Sequence, residues 1–513
     1  MNKCTTWQIG IALAVFMCGV GGLCAAEENM SIPKDKIAEA VSWLETEAHR
    51  IIRASGREMK DGTAAFPPQV GIGYEAFWLR DYEYALEGSI SSFSDKELLD
   101  ACRLFVRSLN PDGAGVDCVK FDGTPIYKPG YGSLGENPVA DGGPFTVGVA
   151  FHTYRKTKDA KLLGEMLPLL VRTMGAVPRN PETGLVHIDP KRAWDRCPYG
   201  FTDSVRKQGD VLFDSLLFVQ ACRQLSELLK KKEDGTGGTP APTVRNQPNP
   251  VAAGFQPAGA ADGRAGKPAP TVGNRSNPVA AGVPPADPVV DEARKWQEEA
   301  NRVTASIRKV FWDGDIGLFR AATVKCREHD IWGSAFAVFL GVAEPAQSKA
   351  IAHYFKTHYD QIVQHGQIRH LPGGVYWELC LETASPRDYY QNGAYWATPT
   401  GWFVYTLDLA DPALADRTIL DMVSHFKQHG ACEWIIGEQC KLPNYLASAA
   451  LPLDGIRAML GRRQWAGGSG QWAEGRGQRA GGRGQRTRTV YRIVPLQASH
   501  SARTQKLTSV IRS

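Results

Sequence analysis

Apolar side chains recur at helical spacing through most of the chain, and the helices they predict are of two kinds. Segments 37–52, 96–109, 160–174, 289–310, 345–359 and 412–426 each carry one apolar stripe with charges opposite. That is the pattern of a helix with one face in water. Between them lie 82–90, 145–154, 211–225, 331–342, 394–407 and 447–460, apolar or small nearly all round, which marks buried helices. Six exposed helices strictly alternating with six buried ones predict an all-α fold, an (α/α)6 barrel with one ring inside the other. The only strand-like pieces are 185–188 and 374–377.

A cluster of polar and aromatic residues precedes each buried segment. The series runs Trp78-Leu79-Arg80-Asp81, then Asn137 to Asp141, Tyr199 to Asp203, Asp330 to Trp332, Tyr389 to Gly393, and Glu433-Trp434 through Asn444-Tyr445. Inner helices of such a barrel run the same way, so these clusters are expected to ring one mouth as a concave site. Indole and phenol rings offer apolar faces with a polar edge, while Asp, Asn and Arg offer hydrogen bonds. A sugar, with apolar ring faces and a belt of hydroxyls, matches that lining. The bland alternative for Asp81 and Asp203 is a helix cap, for Asp141 a turn residue, for Glu433 a loop carboxylate, and for Trp332 and Trp396 the core.

Three segments stand outside this pattern. Residues 1–26 join a short basic start to an apolar run (9–23) and small residues, which reads as a secretory signal peptide. Residues 232–288 are rich in Pro, Gly, Ala and Asn, and the unit 238–254 returns at 266–282. With almost no large apolar side chains to bury, this insertion is expected to be disordered within a catalytic domain of 27–460. The tail 461–513 is likewise low in complexity, and it carries a net +10. The whole-chain charge of +5 therefore hides a body near −6, which gives no reason to expect a nucleic-acid partner. Signal removal leaves no stretch able to span a bilayer, so the expected location is the periplasm or the exterior. Eight scattered cysteines follow the signal, without paired CxxC metal spacing; Cys432 and Cys440 are the first candidates for a bridge. HExxH and GxSxG are absent, and no metal or cofactor is expected.

The chain resembles the six-hairpin glycosidases, notably glucoamylases and the glucosidase domain of glycogen-debranching enzymes, over about 33–460. Trp78-Leu79-Arg80-Asp81 is similar to their Trp-x-Arg-Asp segment, which implies that Arg80 and Asp81 hold hydroxyls of the sugar. Phe201-Thr202-Asp203 with Gly209 resembles the segment that carries their general acid, implying that role for Asp203. Tyr390-Gln391-Asn392-Gly393-Ala394-Tyr395-Trp396 is similar to a Tyr-His-x-Gly-x-x-Trp segment, with Gln391 in the histidine's place. Gly430-Ala431-Cys432-Glu433 resembles the late segment that carries the catalytic base.

The implied activity is hydrolysis of chain-terminal sugars from oligo- or polysaccharides, with inversion. Inversion needs an acid for the leaving oxygen and a base for water, with carboxyl groups ~6.5–9.5 Å apart. Asp203 is the expected acid and Glu433 the base, with Glu378 and Glu438 as reserves for the base. Trp78, Arg80, Asp81, Asp141, Trp332, Asn392 and Trp396 are expected to bind the substrate. A sugar epimerase or isomerase on the same barrel would instead want paired histidines facing the pocket. A non-catalytic carbohydrate-binding protein would keep the lining without turnover, and a lyase on acidic polysaccharide would need more cations than Arg80 and Arg206. Sugar, linkage and oligomeric state are left open.

Overall fold

The computed structural model describes residues 33–71, 73–135, 137–192, 202–235 and 288–468. The signal segment, the repeat of the insertion and the tail beyond 468 lie outside the described residues. The chain divides into two compact units, Met1–Arg462 and Arg463–Ser513; of the second, only 463–468 are described.

In chain order the helices are α1 (Lys34–Ser55), α2 (Leu79–Ser89), α3 (Asp95–Arg107), α4 (Gly142–Thr157), α5 (Ala160–Gly175), α6 (Leu212–Gly235) and α7 (Pro288–Val310). There follow α8 (Ile331–Phe339), α9 (Pro345–Thr357), the short α10 (Tyr359–Ile362), α11 (Thr400–Leu407), α12 (Pro412–His429), α13 (Leu446–Ala450) and α14 (Pro452–Gly468). Helices α2, α8 and α11 bury nearly every side chain and α4 all of its first ten residues, whereas α1, α3, α5, α9 and α12 bury one face.

Each buried helix touches the next: α2 packs on α4, α4 on α6, α6 on α8 and α8 on α11, while α13 packs on α2. Helix α11 meets α14 where backbones nearly touch. A Cβ on Gly401 would fall 2.5 Å from the Pro452 carbonyl oxygen, so only glycine permits that approach. The exposed helices pack outside: α3 on α4, α5 on α4 and α6, α7 on α6, α9 on α8 and α11, and α12 on α11 and α1.

Three expectations need correction, each for a backbone reason. The inner segment 394–407 is helical only from Thr400, because Tyr395–Trp396 is a strand and Pro399 disfavours helix in the residue before it. The inner segment 447–460 is split into α13 and α14 where Pro452, lacking an N–H, opens a new first turn. The chain is also not purely helical. His187–Ile188 is the expected strand, paired with Gly209–Asp210, but Gly374 to Trp377 is not a strand.

Two further sheets matter for the site. One pairs Ala76–Trp78 with Cys118–Lys120, and Cys118–Lys120 in turn with Pro125–Ile126. The other has five antiparallel strands in the order Val363–Gln364, Gln367–Arg369, Tyr395–Trp396, Trp434–Ile436 and Gln439–Lys441.

Candidate active site

Trp78 ends a strand and precedes the first turn of α2, so Arg80 and Asp81 enter the helix side by side. The Leu79 N–H donates to the Asp117 carbonyl at 3.2 Å, which fastens the strand beginning at Cys118 beside that turn. Arg80 is buried, and its Nε and Nη2 donate to Asp141 Oδ2 at 3.0 and 2.9 Å, with Asp117 Oδ1 3.7 Å from Nη2. Asp141 occupies the N-cap position of α4 but makes no side-chain cap bond, because its carboxylate goes to Arg80 instead. Its Oδ1 is buried without a hydrogen-bond partner among the described residues. Asp81 is likewise no cap: its Oδ1 accepts from the Tyr445 hydroxyl at 2.6 Å.

Asp203 sits in the turn closed by the Val205 N–H on the Thr202 carbonyl, well before α6 begins at Leu212, so it does not cap that helix. Its Oδ1 accepts from Gln391 Nε2. Gln391 Oε1 in turn accepts from the Ser204 N–H at 2.8 Å and the Ser204 hydroxyl at 2.6 Å. The residue standing where the resemblance has histidine thus clamps the expected acid.

Glu433 is 3% exposed. Its N–H reaches the Lys441 carbonyl at 2.9 Å across a hairpin that the Cys432–Cys440 disulfide closes. The Tyr74 and Tyr390 side chains lie close enough to its carboxyl to favour its charged form.

These side chains form one electrostatic cluster. Burial first, then Asp81, pushes Glu433 up to about 8, with Asp203 adding to the rise and the two tyrosines opposing it. Burial lifts Asp81 to about 6, against the Tyr445 bond and Arg80. Asp117 is pushed up to about 8 by burial, with Arg80 opposing and Asp141 and Asp203 reinforcing. Asp203 and Asp141 are raised as well, both mainly by burial, against Gln391 for the first and Arg80 for the second. Carboxyls gathered this closely around Arg80, with Arg206 also acting on Asp203, cannot all ionise. The cluster therefore holds protons near neutrality, and they belong to the group of acids rather than to any single one. Half-buried Tyr74, Trp78, Tyr131 and Tyr390 border it, Trp78 standing edge-on to Tyr74 at 5.7 Å.

Not every expected residue joins. Trp332 and Trp396 are core: both are at most 1% exposed, and Trp332 stacks on His370 with ring centres 3.6 Å apart. Neither presents a face to a ligand; Trp396 instead backs Tyr390 at 5.4 Å. Asn392 spends its amide on its own loop, accepting from the Trp377 N–H at 3.0 Å and donating to the Ser385 carbonyl at 3.3 Å. Asp330 caps α8 through the Gly333 N–H. Of the reserve bases, Glu378 is exposed and paired with Lys325, and Glu438 is exposed near His365.

Sequence reading missed Tyr74 and Asp117. Asp117, an acid between Val116 and Cys118-Val119, carried a readable signal; Tyr74, in a glycine-flanked loop, carried none. An open hollow lies elsewhere, lined by Ile316, Arg320, His329, Tyr354 and Val375. It contains none of the clustered acids.

No family model matches the chain, and no curated relative does. Solved structures that it resembles include glycoside hydrolases. A GH63 mannosylglycerate hydrolase from Thermus thermophilus, in complex with glucose, is 16% identical with a TM-score of 0.51, covering 80% of this chain and 99% of its own. A rhamnosidase from Klebsiella oxytoca with rhamnose bound is 13% identical with a TM-score of 0.51, covering 84% of this chain and 65% of its own. At such identities the likeness is one of fold.

Proposed function

We propose that the chain is an exported glycoside hydrolase, built as an (α/α)6 barrel, that releases chain-terminal sugars with inversion. The observation that carries this reading is the electrostatic cluster itself. Asp203, far from Glu433 in sequence, is near enough to raise it together with Asp81, and Arg80 in turn acts on Asp203, in a fold shared with sugar-bound hydrolases. The neighbour-to-neighbour packing of the buried helices supports the barrel. A disulfide favours an oxidising compartment, which agrees with export. Among the described residues no helix is long and apolar enough to cross a membrane.

In this mechanism Arg80 orients Asp141 and Asp117, and with Asp81 they grip the hydroxyls of the terminal sugar. Asp203, held by Gln391, protonates the leaving oxygen. Glu433, steadied by Tyr74 and Tyr390, takes a proton from the attacking water on the opposite ring face. Trp78 contributes an apolar face at the rim. The substrate class is an oligo- or polysaccharide, and the roles of Asp203 and Glu433 rest on the resemblance.

A second reading reverses the two carboxyls. Glu433 at about 8 keeps its proton at neutral pH and would serve as the acid. The variants separate the two. An enzyme lacking its acid keeps turnover on dinitrophenyl glycosides, whose leaving group needs no proton, and loses it on alkyl glycosides. An enzyme lacking its base loses both. Screening the purified protein against nitrophenyl glycosides, malto- and rhamno-oligosaccharides and mannosylglycerate tests the activity. No turnover on any of them, alongside sugar binding, would favour a binding protein instead.

A further inference from the structure

One and two turns along α2 from the active-site arginine, a second set of acids lines the interior. Glu83 and Glu87 are four residues apart, so both face the same way. His152 of α4 joins them, and ligand atoms of Glu83, Glu87 and His152 all lie within 4.8 Å of one another. Asp454 of α14 is close enough to act on Glu83, Glu87 and His152 electrostatically. Above this set lies an aromatic layer: Phe145 with Tyr84 at 5.2 Å, Tyr84 with Trp402 at 5.9 Å, and Trp402 with Phe336 at 4.4 Å. Arg80 stands over the Phe145 ring at 5.7 Å, which keeps the two acid groups apart.

Like charges four apart on a helix repel in water, and burial makes the repulsion larger. No lysine or arginine pairs with Glu83 or Glu87 among the described residues. Glu83 is 2% exposed, yet its side chain forms no hydrogen bond with a described residue; His152 Nε2 stands 3.5 Å from its Oε1. Glu87 Oε2 and His152 Nε2 are buried and also lack hydrogen-bond partners among the described residues, while Glu87 Oε1 accepts from Gln220 at 2.6 Å. Space is kept for the Glu83 carboxylate, because a Cβ on Gly148 would fall 2.3 Å from Oε1. Buried carboxylates are expected to be paired or to hold a metal.

We propose that Glu83, Glu87 and His152 bind a divalent transition-metal ion that ties α2 to α4. Two carboxylates with an imidazole suit Zn2+ or Mn2+, whereas Ca2+ and Mg2+ take all-oxygen sets. The ion is structural in this account, separated from the sugar site by the aromatic layer.

The test uses the full chain, stripped with chelator, dialysed against Zn2+ or Mn2+ and desalted, with metal content measured by mass spectrometry. About one ion per chain is expected, together with a rise in Tm on loading. Glu83→Gln and His152→Gln should each cut retention at least tenfold with unchanged far-UV circular dichroism, while Glu438→Gln, a surface control, should not. If the variants fail to fold, anomalous scattering at the zinc edge from wild-type crystals decides. A peak between Glu83 and His152 supports the site. No retained metal, retention unchanged in both variants, or a peak elsewhere overturns it.

Discussion

Glu433→Gln should make the protein more stable at alkaline pH while abolishing turnover. In the fold this carboxyl sits near 8 rather than 4.5, mainly through burial and the charge on Asp81. Between those values the folded chain binds a proton that the unfolded chain has released. Stability therefore falls as pH rises from about 4.5 to about 8 and is level beyond. At about 1.36 kcal/mol per tenfold change, the ceiling on the penalty above both values is on the order of 4–5 kcal/mol. Asp81 and Asp203 share the protons and relax when the charge is removed, and glutamine meets Tyr74 and Tyr390 less well, at about 1 kcal/mol. The net gain expected at pH 8.5 is about 1–3 kcal/mol, with none at pH 5. For a domain of this size that is a rise in Tm of about 1–4 °C. Thermal scans of both proteins from pH 5 to 9 give the answer, with turnover falling about 10²–10⁴-fold in the variant. An offset independent of pH, or a variant destabilised throughout, refutes the electrostatic reasoning.

Three further outcomes follow from the same contacts. Gln391→Ala removes the donor that holds Asp203 down, so the alkaline limb of the pH–rate profile should move upward and kcat/KM should fall about 10–100-fold; an unmoved limb counts against Asp203 as the acid. Arg80→Ala leaves Asp141 and Asp117 buried without their cation and should cost about 3–5 kcal/mol in urea unfolding at pH 8, less at pH 5, where both acids take up protons. Replacing Cys432 and Cys440 by serine opens the hairpin that fixes Glu433. A loop this short predicts a loss of about 2–3 kcal/mol, read as a lower denaturation midpoint together with reduced kcat.

The alternation of one-faced and fully apolar segments was enough to locate the paired helices, because a buried helix has no other way to be written in side chains. Helix ends were less legible. Pro399 and Pro452 cut two inner segments short, and periodicity does not register a backbone break. The candidate cluster was legible where chemistry stood out against an apolar background, as at Arg80-Asp81, Asp203 and Glu433. It was illegible where identical residue types serve packing: Trp332 and Trp396 look like sugar platforms in sequence and are core in space. Asn392 misled for a related reason, since its loop consumes both amide groups. Gln391 shows the converse, a departure from the familiar motif that supplies a partner for Asp203.

The assignment of Asp203 and Glu433 as facing acid and base is tested most directly by proton NMR of the first sugar released from a glycoside of known anomeric configuration. Inversion through an activated water predicts that the product appears first as the opposite anomer and then mutarotates. Release of the same anomer would mean a covalent intermediate on a closely spaced carboxylate pair, and the account given for these two residues would be wrong.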